Sequence, residues 1–171
     1  KISHPTETVT DNIDNMSVEE VESQKAWEAR ASRLLHALGE DGVETLKQLE
    51  RSRIFLVGLR GLGMEIAKNL VLMGVSSLTI QDLEPVEMSD LSTNFYLSEA
   101  DVGKNRAQSV LLKLRELNER VKLDIFDGEV NKEFVEKFSV VIFTNNSSFD
   151  SLVQYNTMCR ESNVKFITAD T

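Results

Sequence analysis

From residue 53 onward, short aliphatic runs alternate with longer stretches in which apolar residues recur every three or four positions. The runs at 54–57, 77–81, 121–126, 140–143 and 164–169 have the length and aliphatic content of buried strands. The stretches at 61–73, from near Asp101 to Asn118, near Glu133 and at 150–161 have helical spacing. Strands that alternate with helices predict a parallel sheet with right-handed crossovers, so the expected fold is α/β, a doubly wound and mostly parallel sheet flanked by helices. Residues 84–99 break the alternation: they are polar and show no clean period. A long connection at the C-terminal end of a strand is where open α/β sheets hold ligands.

Ahead of the sheet the pattern changes. Residues 1–16 are polar and carry too little apolar surface to offset the entropy of ordering them, which predicts a flexible arm. Residues 17–52 read as an N-terminal helical segment. Ser17 and Glu20 form a capping-box signature, apolar positions follow at Val18, Val21, Ala26, Trp27, Leu34 and Leu35, and Gly39 and Gly42 interrupt the pattern. A short helix at 43–51, with Val43, Leu46 and Leu49 on one face, leads into the first strand. Residues 53–171 then form the α/β domain. The chain begins at Lys1 without methionine and stops at Thr171 directly after an apolar run, which predicts a domain truncated at its C-terminus.

Composition narrows the function. Only 6% of residues are aromatic while 41% are hydrophobic, so the core must rest on Leu, Ile, Val and Met, as suits buried parallel strands. A formal charge of −9 without a Lys/Arg cluster argues against nucleic acid. No apolar run reaches membrane-spanning length, and the polar N-terminus lacks the core of a secretory signal. The single cysteine, Cys159, excludes an internal disulfide framework and fits a reducing compartment, cytoplasm or nucleus. His4 and His36 lack the partners that metal ligation requires, so no metal is expected.

The candidate chemistry lies in residues 53–70, where Gly58, Gly61 and Gly63 sit between a predicted strand and a predicted helix. Gly58 and Gly63 fit the dinucleotide-binding G-x-G-x-x-G, but its middle position is Arg60. The domain is therefore Rossmann-like with an altered loop. Glycines here either bring backbone close to a pyrophosphate or let helix and sheet pack closely, and Arg60 either obstructs the phosphate position or ligates phosphate, obstruction being preferred. Asp82 follows Gly63 by 19 positions, by subtraction, near the roughly 20 expected of a ribose-binding carboxylate; a turn-forming aspartate is the other reading. No G-K-[ST] follows the loop, which disfavours a P-loop phosphotransferase.

These residues, together with the run Asp90-Leu-Ser-Thr-Asn-Phe-Tyr-Leu and continuing to Arg106, resemble the N-terminal half of a ubiquitin-activating enzyme. The likeness extends from about residue 27 to Thr171 and includes Phe143-Thr-Asn-Asn146. It implies relatedness to the ThiF and MoeB proteins, and a pair of adenylation-type halves of which one binds ATP with Mg²⁺ and adenylates the modifier's C-terminus. This chain resembles the inactive half. Active halves carry glycine where Arg60 stands, an arginine where Thr93 stands and a Mg²⁺-binding aspartate where Asn145 stands, while Asp82 and Arg106 match positions present in both kinds of half. The fragment alone is thus expected to be catalytically inactive, without ATP, Mg²⁺ or any other cofactor. The resemblance also implies that Arg33, in Ala31-Ser-Arg-Leu34, is an arginine finger for the partner half's ATP, Arg30 being the neighbouring alternative. The implied partners are the active half and ubiquitin, with a homodimer expected of the isolated chain. A small subunit of a SUMO-activating enzyme and an NAD-binding oxidoreductase domain are the alternative readings.

Overall fold

The computed structural model describes residues 42–145 and 147–170, with residues 17, 21, 22, 25, 29, 31, 32, 36 and 39. The chain divides into two compact units, Lys1–Leu46 and Lys47–Thr171. In the first unit, described residues between 21 and 36 are helical. Glu20 of the expected capping box, Arg30 and Arg33 lie outside the described residues. Helix α1 (Gly42–Arg51) runs across the division.

The second unit is built on strands β1 (Arg53–Val57), β2 (Ser77–Gln81), β3 (Lys122–Ile125), β4 (Val140–Phe143) and β5 (Lys165–Thr168). All pair in parallel, in the order β3-β2-β1-β4-β5. Between them lie α2 (Gly61–Met73), α3 (Arg106–Leu117), α4 (Lys132–Val135) and α5 (Phe149–Glu161). The expected α/β, doubly wound sheet is thus the observed fold.

Alternation along the strands sets the layers, because successive side chains point to opposite faces. Ile54 and Leu56 of β1 join Leu78, Ile80, Leu123 and Ile142 under α2 and α3, whose Met64, Ala67, Val71, Val110 and Leu114 complete that core. Phe55 and Val57 face the other way, into a second core with Val141, Phe143 and, from α4 and α5, Val135 and Cys159. Phe55 is fully buried there, edge-on to Phe134 with ring centroids 5.0 Å apart. The chain winds outward from β1 to β3 with its helices on one face, then returns to β4 on the other side of β1. That reversal opens a crevice at the C-terminal ends of β1 and β4.

The start of α3 and the long connection before it depart most from the sequence pattern. The helix expected from near Asp101 begins at Arg106, because Gly103 takes a left-handed φ of 85° and Asn105 caps α3, accepting from the Gln108 N–H at 3.0 Å. Glu99–Asp101 forms a separate 3₁₀ turn, and a second one, Met88–Ser92, lies within the aperiodic connection. Both are closed by capping boxes, Glu87 with Asp90 and Ser98 with Asp101.

Candidate functional site

The glycine loop joins β1 to α2 as the spacing predicts, and the protein's own backbone accounts for two of its glycines. Gly58 turns the chain with φ at 90°, and its N–H donates to the Gln81 carbonyl at 2.8 Å. A Cβ on Gly63 would stand 2.0 Å from the Gly58 carbonyl oxygen, and one on Gly58 would stand 2.8 Å from the Asn145 nitrogen. Thr144 tightens the same junction: its hydroxyl donates to the carbonyls of Val57 and Gly58 at 3.1 and 2.9 Å. Close packing of strand, helix and β4 therefore demands these glycines whether or not a phosphate ever approaches.

Arg60 occupies the position before α2 with extended backbone, φ −68° and ψ −175°. A side chain there is unstrained, so the turn itself does not need glycine at this position. The guanidinium leans across the mouth of the crevice to Glu87, Nη2 to Oε1 at 3.4 Å, with both side chains half exposed. Arg60 is thus one of the residues that line the crevice. The residue pressed against the loop is Thr93: a Cβ added to Gly61 would lie 2.9 Å from the Thr93 Cβ.

The crevice encloses a cavity of about 1240 Å³, lined by the loop, the ends of β1 and β2, residues 82–84 and parts of 89–93, Arg106, Thr144, Asn145 and Asp170. Among the described residues, every predicted site residue except Gly63 lines it; Gly63 is buried behind the loop. Five carboxylate side chains, Glu65, Asp82, Glu84, Asp90 and Asp170, face only two guanidinium groups, Arg60 and Arg106.

Arg106 is fully buried and binds two of these carboxylates. Its Nη1 donates to both oxygens of Asp82 at 2.9 Å, its Nε to Asp90 Oδ2 at 3.0 Å, and its Nη2 to the Pro85 carbonyl at 2.9 Å. Burial disfavours the Arg106 charge, but hydrogen bonds and charge attraction from Asp82, then Asp90, outweigh it and raise its pKa above the ordinary value. Asp82 also accepts from the N–H groups of Leu59 at 2.8 Å and Glu84 at 3.0 Å, and Asp90 from the N–H of Glu87 at 2.9 Å. Both Asp82 oxygens are thus committed internally, and the carboxylate read as a ribose ligand works as a cross-brace. Asp90, Glu87 and Thr144 had no assigned role in the sequence; the signal that bears on Asp90 is a capping-box position, Glu87 to Asp90, which a turn-level reading reaches but a helix-and-strand reading passes over.

Asn145 lies two residues beyond the end of β4 and lines the crevice. Its Oδ1 accepts the Ser147 hydroxyl at 2.8 Å, so the neutral oxygen at that position is turned to a neighbouring serine. Among the described lining residues a triphosphate would meet no side-chain cation beyond Arg60, paired with Glu87, and Arg106, committed to Asp82 and Asp90, and it would meet Thr93 packed over Gly61. A Mg²⁺ bound to it would find an amide in place of a carboxylate at Asn145. Among the described residues no three His, Cys, Asp or Glu side chains gather to hold a metal ion, and no helix is long and apolar enough to cross a membrane.

Comparison with known proteins agrees with this architecture. The wheat protein ubiquitin-activating enzyme E1 1 is 49% identical over 118 residues, 69% of this chain and 11% of its own length. The human ubiquitin-like modifier-activating enzyme 1 is 41% identical over 140 residues, 82% of this chain and 13% of its own. The chain thus spans a small fraction of the length of these relatives. Among solved structures, E. coli tRNA N6-threonylcarbamoyladenosine dehydratase, TcdA, in complex with ATP matches 84% of this chain and 59% of its own at 22% identity and a TM-score of 0.68. E. coli MccB matches 91% of this chain and 53% of its own at 19% identity and a TM-score of 0.72; both share the fold. The ThiF family pattern matches residues 30–171, the altered glycine loop and the Asp82–Arg106 brace included, and this chain belongs to the ThiF family.

Proposed function

We propose that this chain is the non-catalytic adenylation half of an ATP-dependent ubiquitin-activating enzyme. In that enzyme another half adenylates the ubiquitin C-terminus with ATP and Mg²⁺, and the product passes to a cysteine thiol in a separate domain. Identity to curated ubiquitin-activating enzymes supports the assignment to this branch. The observation that carries the assignment to the non-catalytic half is the loop side of the cavity, where Thr93 packs against Gly61 and the amide of Asn145, bound to the Ser147 hydroxyl, stands where the resemblance expects a carboxylate in an active half. The commitment of both Asp82 oxygens weighs against the NAD-binding alternative, since a ribose would have to compete with Arg106 for its carboxylate. Cys159 is not the acceptor thiol: it is buried, and burial pushes its pKa up to about 11.

The role that remains is to scaffold the active half and, through Arg33, to stabilise charge on that half's ATP during adenylate formation. Cytoplasm and nucleus are the compartments that go with this reading. Isothermal titration of the chain with ATP-Mg²⁺ and with NAD is expected to give no binding heat; a dissociation constant below about 100 μM for either, on the order of 5 kcal/mol of affinity, would overturn the reading. In the full-length enzyme, Arg33→Ala is expected to slow ubiquitin-dependent ATP–pyrophosphate exchange without loss of folding, and unchanged exchange would remove the finger. Sedimentation of the isolated chain is expected to show weak homodimerisation, the result expected of an exposed partner-facing surface.

A further inference from the structure

We infer that the outer edge of β5 is an interaction surface for a second copy of this chain, the two β5 strands pairing antiparallel about a twofold axis at Ile167. The inference goes beyond the assignment to one half of an enzyme and does not rest on it.

The sheet has β3 at one edge and β5 at the other, and the two are guarded differently. At β3 the Leu123 carbonyl accepts from Arg115 Nη2 at 2.8 Å, and Lys122 and Asp124 set charges of both signs along the strand. Such charges and side-chain bonds discourage further pairing. Among the described residues β5 has no comparable cover. Its Lys165 N–H and the N–H of Ala169 donate inward, to the Ser139 and Phe143 carbonyls. Backbone groups of successive residues alternate between the two edges of a strand, so those of Phe166 and Thr168 point outward, where no described group bonds them. A row of unpaired N–H and C=O groups is a template for another strand.

The strand is complementary to itself. In an antiparallel pair only outward-pointing residues exchange bonds, and the register that sets Phe166 opposite Thr168 of the copy uses the N–H and C=O of both residues on both chains. The neighbouring symmetric registers set Thr168 opposite Val164, whose N–H is bonded to the Cys159 carbonyl, or Phe166 opposite Asp170, which lies beyond the strand. The favoured register brings Ile167 directly against Ile167 of the copy. Ile167 is 49% exposed and shares a sheet face with its register neighbour Ile142, which is buried under α2 and α3. Pairing gives this aliphatic side chain the cover that Ile142 already has. Lys165, the strand's one charged residue, falls opposite Ala169 and so does not meet its like. The contact is isologous and consumes both β5 edges, so it closes as a dimer and does not propagate.

The test uses the full chain. Sedimentation at concentrations up to about 1 mM should show a monomer–dimer equilibrium, and Ile167→Lys, which sets two ammonium groups face to face, should abolish the dimer with an unchanged far-UV circular dichroism spectrum. A monomer throughout for the unaltered chain, or a dimer that survives Ile167→Lys, overturns the proposal. Cross-linking reads the register separately. Opposed residues in a non-hydrogen-bonded antiparallel pair have Cα atoms about 4.5 Å apart, within disulfide reach. Lys165 and its counterpart in the copy are each offset from the other by four positions, 169 minus 165, or about 13 Å along the strand. With diamide as oxidant, Ile167→Cys should therefore form a disulfide-linked dimer at least ~10-fold faster than Lys165→Cys, Cys159 being buried. Mixed Lys165→Cys and Ala169→Cys chains should cross-link to each other. Equal rates for Ile167→Cys and Lys165→Cys would place the contact elsewhere and overturn the proposal.

Discussion

Replacing Arg106 by methionine removes the one cation in a buried cluster and leaves two carboxylates facing a space of similar size. In the native chain Arg106, Asp82 and Asp90 are each almost fully buried, and the guanidinium makes contacts of 2.9 to 3.0 Å with both acids and with the Pro85 carbonyl. Summing a charged hydrogen bond for each contact would exceed what one side chain can contribute, because the contacts are made or lost together. The appropriate scale is the cost of breaking a buried ion pair from one side, about 3–5 kcal/mol. Against a total stability of about 5–15 kcal/mol for a domain of this size, Arg106→Met should lower the urea midpoint by roughly 1–3 M. Urea unfolding followed by far-UV circular dichroism measures it. Amide exchange should place the first loss at Val86 and Gly103, whose N–H groups bond across the base of the 83–105 connection to Lys104 and Val86 carbonyls. Replacing all three residues together, Arg106→Met with Asp82→Leu and Asp90→Leu, should recover part of the loss, because the stranded charges go with the cation. A cost for Arg106→Met under about 1 kcal/mol, the level of an exposed pair, would show that the cluster is solvated and that the brace does not hold the connection.

Two further perturbations probe the loop and the second core. Gly61→Ala should cost about 1–3 kcal/mol through contact with the Thr93 Cβ, and Thr93→Gly, which removes that atom, should relieve part of it, giving a coupling of at least ~0.5 kcal/mol in a double-mutant cycle by urea denaturation; strict additivity would refute the packing of Thr93 on the loop. Cys159 has a folded pKa of about 11, raised by burial, against 9.0 for the ordinary thiol. The unfolded chain ionises first, so its contribution to stability is complete below pH 9 and is lost as pH rises from about 9 through 11; a Cys159→Ala variant should lose that part of the alkaline decline. Native Cys159 should also react with a thiol reagent only as fast as the domain opens, and rapid native labelling would contradict its burial.

Most of the sheet was legible in the sequence because a buried parallel strand writes itself as a short aliphatic run and an amphipathic helix as a three-to-four residue period. Residues 61–73, 77–81 and 140–143 show this directly. The start of α3 was not, since Gly103 and Asn105 outweigh an acidic stretch that otherwise resembles a helix start. The glycine loop was visible as a turn, but its meaning was not: only the fold shows that Gly63 yields to the Gly58 carbonyl and Gly61 to Thr93. Asp82, Asp90 and Arg106 are separated by 8 and 16 positions, by subtraction, and no local pattern pairs them. Spacing along the chain determines local elements, because their interactions span a few residues. Whether a carboxylate is free for a ligand or spent on a buried guanidinium depends on contacts the chain makes only when β2, the long connection and α3 meet, and that the tertiary structure alone decided.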